Sequence, residues 1–185
     1  QYIFFLLLVY SCKSVIQDEA PQYDVIVIGA GTGAAAATIS SSRMGSKTLL
    51  LNPIPWLGGM LSSAGVSAID GNHEMQAGLY GELRKAVVDH YGGEEQLATA
   101  WVSHTAFEPH IADSILKQMA QKEPLLNIEY NAEWKSISYV DEECLIKFMD
   151  VTGKEHFVKP KILVDGTDLG DVADHLGTSY RLGMI

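Results

Sequence analysis

Basic residues and cysteines are scarce in this sequence, and both shortages exclude classes of function. The 185 residues include 13 Lys and Arg against 23 Asp and Glu, for a formal net charge of -10. A surface that tracks nucleic-acid phosphates needs clustered Lys and Arg, and the sequence has no such cluster. The two cysteines, Cys12 and Cys144, are too few and too unequally placed for a disulfide framework, and no Cys/His spacing resembles a zinc site. We therefore expect no nucleic-acid partner, and Cys144 to be a small core residue.

The N-terminal segment has an apolar run, Tyr2 to Tyr10, that is shorter than the roughly 20 residues a membrane-spanning helix needs. The run leads into Ser11-Cys12, which resembles a bacterial lipoprotein signal, in which the cysteine is lipidated. The resemblance implies an exported, membrane-anchored bacterial protein, periplasmic or cell-surface, with residues 1–22 as signal and tether and an acyl chain on Cys12. A secretory segment with an incidental cysteine is the alternative.

A glycine-rich turn follows the first apolar strand of the chain. The β-branched run Val25 to Ile28 predicts a buried parallel strand, and Gly29, Gly31 and Ala34 then fit the G-x-G-x-x-G/A dinucleotide pattern. The first glycine permits a tight turn, the second lets the backbone approach a pyrophosphate, and the alanine lets the next helix pack on the strand. A glycine turn without a ligand is the alternative. We predict cofactor contacts from Gly29, Ala30, Gly31, Thr32, Gly33 and Ala34.

The next segments predict a β-α-β unit. Residues 33–44 are rich in alanine and predict a helix, and Lys47 to Leu51 predicts a second strand parallel to the first. An Asp or Glu normally binds the ribose hydroxyls at the end of that strand. This chain has Asn52 there, which can still hydrogen-bond a hydroxyl but without the strength of a carboxylate.

After the second strand, the stretch Trp56-Leu57-Gly58-Gly59 and the segment Gly65-Val66-Ser67-Ala68 resemble the FAD-dependent oxidoreductase family. The resemblance implies that Gly58, Gly59 and Met60 lie against the cofactor. A turn bounded by prolines is the alternative for this stretch taken alone. Phe107-Glu108-Pro109-His110 resembles the same family, and residues 61–110 are the candidate substrate-facing segment.

Helical spacing of apolar residues predicts two further helices, 78–90 and 109–122. In the first, Arg84 is predicted on the surface with Glu82, Lys85 and Asp89, and His90 is predicted as a capping or partly exposed residue. In the second, Pro109 suits the first turn. Glu108 could approach a substrate with His110, although a carboxylate at the positive end of the helix dipole explains it more simply.

The C-terminal third changes to strand patterns. Residues 127–132 predict a third parallel strand, residues 134–140, 144–150 and 155–158 predict a β-meander, and residues 161–164 predict a last strand. A meander at this point resembles flavoproteins of the glutathione reductase type, whereas an NAD-binding dehydrogenase would more often have another helical crossover. The pattern therefore favours FAD over NAD as the cofactor.

The last strand runs into Asp165-Gly166-Thr167-Asp168, which resembles the family's second cofactor-side signature. This implies cofactor contacts from Gly166, Thr167 and Asp168. Asp165, Asp168 and Asp171 could hold a metal ion, but we predict no metal, with Asp168 and Asp171 as turn and helix N-cap residues.

Together these features predict an α/β protein: a Rossmann-like FAD/NAD(P)-binding domain, residues 23–185, with a parallel sheet and an inserted meander. Residue 1 is not Met and no terminating signal follows Tyr180, so we expect the N-terminal part of a longer chain. The resemblance implies hydride transfer between a small organic substrate and the flavin of FAD. An NAD(P)-binding dehydrogenase and a non-catalytic exported lipoprotein with this fold are the alternatives.

Overall fold

The computed structural model describes residues 20–99, 101, 103–140 and 142–183. The predicted signal with Cys12, and the predicted tether up to residue 19, therefore lie outside the described residues. No helix in the described part is long and apolar enough to span a bilayer. The elements, in chain order, are β1 (Gln22–Ile28), α1 (Thr32–Arg43), β2 (Thr48–Asn52), a 3-10 turn (Gly59–Leu61), α2 (Gly78–Tyr91), a second 3-10 turn (Glu94–Gln96), α3 (Pro109–Gln121), β3 (Leu126–Tyr130), β4 (Glu133–Val140), β5 (Glu143–Met149), β6 (Glu155–Asp165) and α4 (Asp171–His175).

The strands form a six-stranded sheet in the order β3-β2-β1-β6-β5-β4. The pairs β1–β2, β2–β3 and β1–β6 are parallel, whereas β4–β5 and β5–β6 are antiparallel. The predicted α/β fold with a parallel sheet and a meander is confirmed. The three long helices begin and end within one residue of the predicted bounds.

The last strand differs from the prediction, because the expected strands 155–158 and 161–164 form the single strand β6. Its first half pairs with β5 as far as Val158, and its second half pairs with β1. The backbone N–H of Lys159 donates to Pro21 on the β1 side (3.0 Å). Since successive N–H groups of a strand point to opposite sides, Pro160 faces the side where pairing with β5 has ended. Its missing N–H therefore removes no ladder bond, and the strand continues.

The sheet is covered on both faces, as expected for a buried parallel sheet. Alternate residues of β1 face opposite layers: Val25 and Val27 pack with α1, α2 and α3, whereas Ile26 and Ile28 pack with the meander and α4. This explains why β1 has an uninterrupted apolar run. Both layers leave the carboxyl ends of the parallel strands free to form a site.

Two predictions about side chains differ from the structure. Arg84, predicted on the surface, is only 3% exposed, and its Nη1 donates to Glu94 while its Nε donates to Thr105. The turn beyond α2 folds back over this guanidinium, which the helical pattern could not show. Neither Asp168 nor Asp171 is the N-cap of α4, since Gly170 holds that position with φ +75° and Asp171 is the first helical residue.

Candidate cofactor site

The turn between β1 and α1 has no room for a side chain at its first glycine. Gly29 has φ +141°, and its N–H donates to Leu51 on β2 (3.1 Å). A Cβ at Gly29 would lie 2.1 Å from the carbonyl oxygen of Gly166, far inside van der Waals contact. Glycine is therefore required here both by the backbone conformation and by the close approach of the β6 turn.

The start of α1 is suited to an anion. Gly31 is its N-cap, no side chain caps the helix, and its first turn has no acidic residue. The first N–H groups of the helix are thus free to bind an anion at the positive end of the dipole. A Cβ at the exposed Gly33 would meet nothing within 4 Å, so the space above this turn is open. Ala34 is buried beneath the turn.

The loop after β2 packs directly on this turn. Gly59 has φ +52°, and a Cβ there would lie 2.7 Å from the Cα of Gly31. The hydroxyl of Thr32 donates to the carbonyl of Gly58 (2.8 Å). The two glycine segments, predicted separately, therefore form adjoining walls.

The turn after β6 forms the third wall. The N–H of Gly166 donates to Ile28 (2.8 Å), and Asp165 accepts hydrogen bonds from the N–H and hydroxyl of Thr167 and from the N–H of Ala173. Burial would raise the pKa of the Asp165 carboxyl, but these hydrogen bonds outweigh burial and hold the pKa below its ordinary value. Asp165 is thus an ionised anchor that holds the turn.

The three walls enclose a crevice of about 780 Å³ at the carboxyl ends of β1, β2 and β6. This size is within the range of small-molecule and cofactor sites. The predicted residues that line it are Gly29, Ala30, Gly59, Met60, Thr167 and Asp168. The other predicted residues, Gly31, Thr32, Gly33, Ala34, Gly58 and Gly166, belong to the same three walls but lie outside the lining, and their cofactor contacts stay predictions.

Asn52 is placed differently from a typical ribose ligand. Its side chain is fully buried, its Nδ2 donates to the carbonyl of Trp56 (2.8 Å), and its Oδ1 accepts from the N–H of Ile54 (3.2 Å). The amide therefore holds the loop after β2. Direct contact with a ribose stays a prediction that this geometry does not favour.

The sequence did not single out Glu133 and Trp134, which also line the crevice. The N–H of Ala132 donates to the carbonyl of Asn52 (3.0 Å), so the start of β4 lies at the end of β2. Glu133 pairs with Lys135, and 66% of its side chain is exposed. The predicted third parallel strand, residues 127–132, was the one signal that could have placed Glu133 here, because the carboxyl ends of parallel strands lie at one edge of the sheet.

Other candidate side chains do not join the crevice lining. His90 is exposed at the end of α2, and Glu108 is the extended N-cap residue of α3 followed by Pro109 in the first turn. His110 is exposed, and His175 packs edge-on against Trp134. Cys144 is half-buried, and burial raises the pKa of its thiol. Within the described ranges, no three His, Cys, Asp or Glu side chains are placed to hold a metal ion.

A glycine cradle, a free helix N-terminus and a crevice at the carboxyl ends of parallel strands define a dinucleotide-binding protein of the Rossmann-like class. The chain belongs to the FAD dependent oxidoreductase family, whose model matches residues 24–184. Membership identifies the cofactor as FAD, and the described residues fit that group: its pyrophosphate suits the open space above α1.

Solved structures share the fold at low sequence identity. BexE, studied for oxidation during BE-7585A biosynthesis, is 16% identical with a TM-score of 0.60, over 90% of this chain and 35% of that one. A flavoprotein/dehydrogenase from Cytophaga hutchinsonii is 14% identical with a TM-score of 0.59, over 89% and 44%. The flavin-dependent monooxygenase PieE, in complex with FAD and substrate, is 16% identical with a TM-score of 0.52, over 85% and 33%. The chain thus spans less than half the length of each.

Proposed function

We propose that this chain forms the FAD-binding part of an oxidoreductase that transfers hydride between a small organic substrate and the flavin. The observation that carries the proposal is the convergence of three glycine-containing segments on the free N-terminus of α1. FAD supplies the redox chemistry when bound. The meander between β3 and the second half of β6 supports placement with glutathione-reductase-like flavoproteins.

In this proposal the protein groups bind and orient the cofactor. The N–H groups of the first turn of α1 hold the pyrophosphate, and the loop 58–60 and the turn 166–168 close the crevice on either side. Glu133 supplies the carboxylate for the ribose hydroxyls, because the amide of Asn52 is used by its own loop. Asp171 lines the same crevice, but it follows β6, which lies on the side of β1 away from β2. It is therefore not at the end of β2, where the ribose carboxylate is normally found.

The substrate is expected next to residues 61–110. Ser63 and Ala64 line the crevice beside Met60, and an antiparallel bridge between Ala68 and Ala106 joins the two ends of this segment. Thus a small molecule in the crevice would meet the start of this segment, at Ser63 and Ala64.

Anaerobic flavin bleaching of the purified protein tests the reaction class. Candidate alcohols, amines and hydroxy acids are added in turn, and loss of flavin absorbance with substrate alone supports hydride transfer. The neighbours named as monooxygenases suggest a different outcome, in which the flavin is bleached only by NAD(P)H. If only NAD(P)H bleaches the flavin, and the substrate is then hydroxylated when oxygen is admitted, the enzyme is a monooxygenase. That result would contradict hydride transfer from the substrate.

We also propose export and lipid anchoring through Cys12, on the sequence resemblance alone. Expression in a bacterium with labelled palmitate should label the wild-type chain and place it in the membrane fraction. Cys12→Ala should lose both the label and the membrane fraction, whereas Cys144→Ala is the matched control and should keep them. Equal labelling of Cys12→Ala and wild type would contradict the anchor.

A further inference from the structure

The loop that joins β2 to the 3-10 turn at Gly59 is held by side chains from outside it. This segment, residues 53–58, contains two prolines and no regular secondary structure. Asp113 Oδ1 accepts from the N–H of Leu57 (2.7 Å), and Lys117 Nζ donates to the carbonyl of Pro55 (2.7 Å). Both side chains come from α3, which is more than fifty residues further along the chain.

Asp113 and Lys117 form a single unit on α3. They are one turn apart, and Lys117 Nζ donates to Asp113 Oδ2 (2.8 Å). Asp113 Oδ1 thus binds the loop directly, and Asp113 Oδ2 binds Lys117, which itself binds the loop. The side chain of Asp113 is 14% exposed, so solvent screens this pair less than a surface ion pair. Lys117 Nζ also lies 5.2 Å from the ring centre of Tyr130 on β3.

The contact with Leu57 bears directly on the cofactor crevice. Leu57 is 1% exposed and precedes Gly58, whose carbonyl accepts from Thr32, and Gly59, which packs on Gly31. A shift of the Leu57 backbone would therefore move the wall that faces the pyrophosphate turn. We infer that Asp113, fixed by Lys117, is a positioning residue that holds the loop 53–58 in the geometry that binds FAD. This inference rests on the proposed FAD site.

A second ion pair provides a matched control. Lys85 and Asp89 on α2 have the same four-residue spacing, but their side chains are 74% and 60% exposed. The bonds of Lys85 and Asp89 join them to each other and to no part of the loop. Asp89→Ala therefore removes a helical ion pair of the same kind without touching the crevice.

The test combines amide hydrogen exchange on the chain without flavin and a titration with FAD followed by flavin fluorescence. In Asp113→Ala, the Leu57 amide should exchange about tenfold faster and the FAD dissociation constant should rise about tenfold, as for loss of one charge-assisted hydrogen bond. Asp113→Asn keeps an acceptor oxygen for Leu57 and should recover most of both effects. Asp89→Ala should change neither.

Unchanged exchange at Leu57 in Asp113→Ala, or an FAD affinity equal to that of Asp89→Ala, would overturn the inference. If Asp113→Ala fails to fold by circular dichroism, Lys117→Met carries the test, since it removes the Pro55 contact and the charge next to Asp113. Wild-type exchange at the amides of Trp56 and Leu57 in that variant overturns the inference as well. Failure of the wild-type chain to bind FAD would instead contradict the proposed site, and the exchange result without flavin would still be readable.

Discussion

At the scale of single residues, the crevice depends on positions where a side chain is missing or is used elsewhere. A Cβ at Gly29 or Gly59 would run into backbone atoms. A Cβ at Gly31 would lie 2.9 Å from the flexible carboxylate of Asp168, and its nearest backbone atom, the carbonyl oxygen of Gly166, would be 3.4 Å away, which is an ordinary contact distance. The three positions therefore differ in what substitution would test. Changes at Gly29 or Gly59 test folding, and changes at Gly31 test the ligand.

Gly31→Glu should abolish FAD retention while the chain still folds. Gly31 has φ -68°, which any residue adopts, and the Asp168 side chain can rotate away. The new carboxylate would place bulk and negative charge at the N-terminus of α1, where the pyrophosphate is expected to bind. Flavin content of the purified variant is the measurement, and Ser40→Glu, which adds the same charge at an exposed position further along α1, is the control. Unchanged flavin content in Gly31→Glu would refute the pyrophosphate assignment.

Glu133→Gln should remove discrimination between a ribose and a deoxyribose. Wild type is expected to bind ADP more tightly than 2′-deoxy-ADP by about tenfold, as for a hydrogen bond to a charged group. In Glu133→Gln both ligands should bind about equally, as measured by calorimetry. Glu155→Gln is the control, because Glu155 is another lysine-paired, largely exposed meander glutamate that does not line the crevice. Retained discrimination in Glu133→Gln would exclude its role.

At the scale of elements, the turn between β6 and α4 is held by one carboxylate. Asp165 bonds to Thr167 and Ala173, and the hydroxyl of Thr167 in turn accepts from the N–H of Asp171. This network fixes the third wall of the crevice and replaces a side-chain N-cap on α4, where Gly170 has none.

The stabilisation by Asp165 should depend on pH. Its pKa is lower in the folded chain than the ordinary value of 3.8, so its contribution is fully present above that value and is lost as the pH falls through the folded pKa. Asp165→Asn should therefore lower the urea midpoint at pH 7 and lower it less at pH 3. A difference of the same size at both pH values would show that the charge of Asp165 does not stabilise the turn.

At the scale of the whole molecule, the cofactor should stabilise the fold, because the crevice is lined by the end of β1, the loop after β2, the start of β4 and the turn after β6. FAD at 100 times its dissociation constant should add about 2.7 kcal/mol to the free energy of unfolding. For a chain of this size that corresponds to a rise in melting temperature of about 5 to 10 °C. NAD at the same concentration should have little effect. A larger shift with NAD than with FAD would contradict the identity of the cofactor.

The sequence by itself predicted the elements, because each follows from a local pattern. The apolar run of β1, the glycines after it, the alanine-rich composition of α1 and the spacing of the apolar residues in α2 and α3 all act over a few residues. The meander followed from three short alternating runs, and it also indicated FAD. Even the three walls of the crevice could be predicted, since the carboxyl ends of parallel strands lie at one edge of a sheet.

Only the tertiary structure decided which polar side chains serve the site. Asp113 is 56 residues from Leu57, and Glu133 reaches the crevice through a contact between Ala132 and Asn52. Burial of Arg84 and the unbroken course of β6 likewise depend on segments that meet only in the folded chain. The sequence around a polar residue does not indicate its hydrogen-bond partner, since hydrogen bonds form wherever packing brings donor and acceptor together. The apolar pattern therefore determined the fold, and the packing of distant segments determined how its crevice is held.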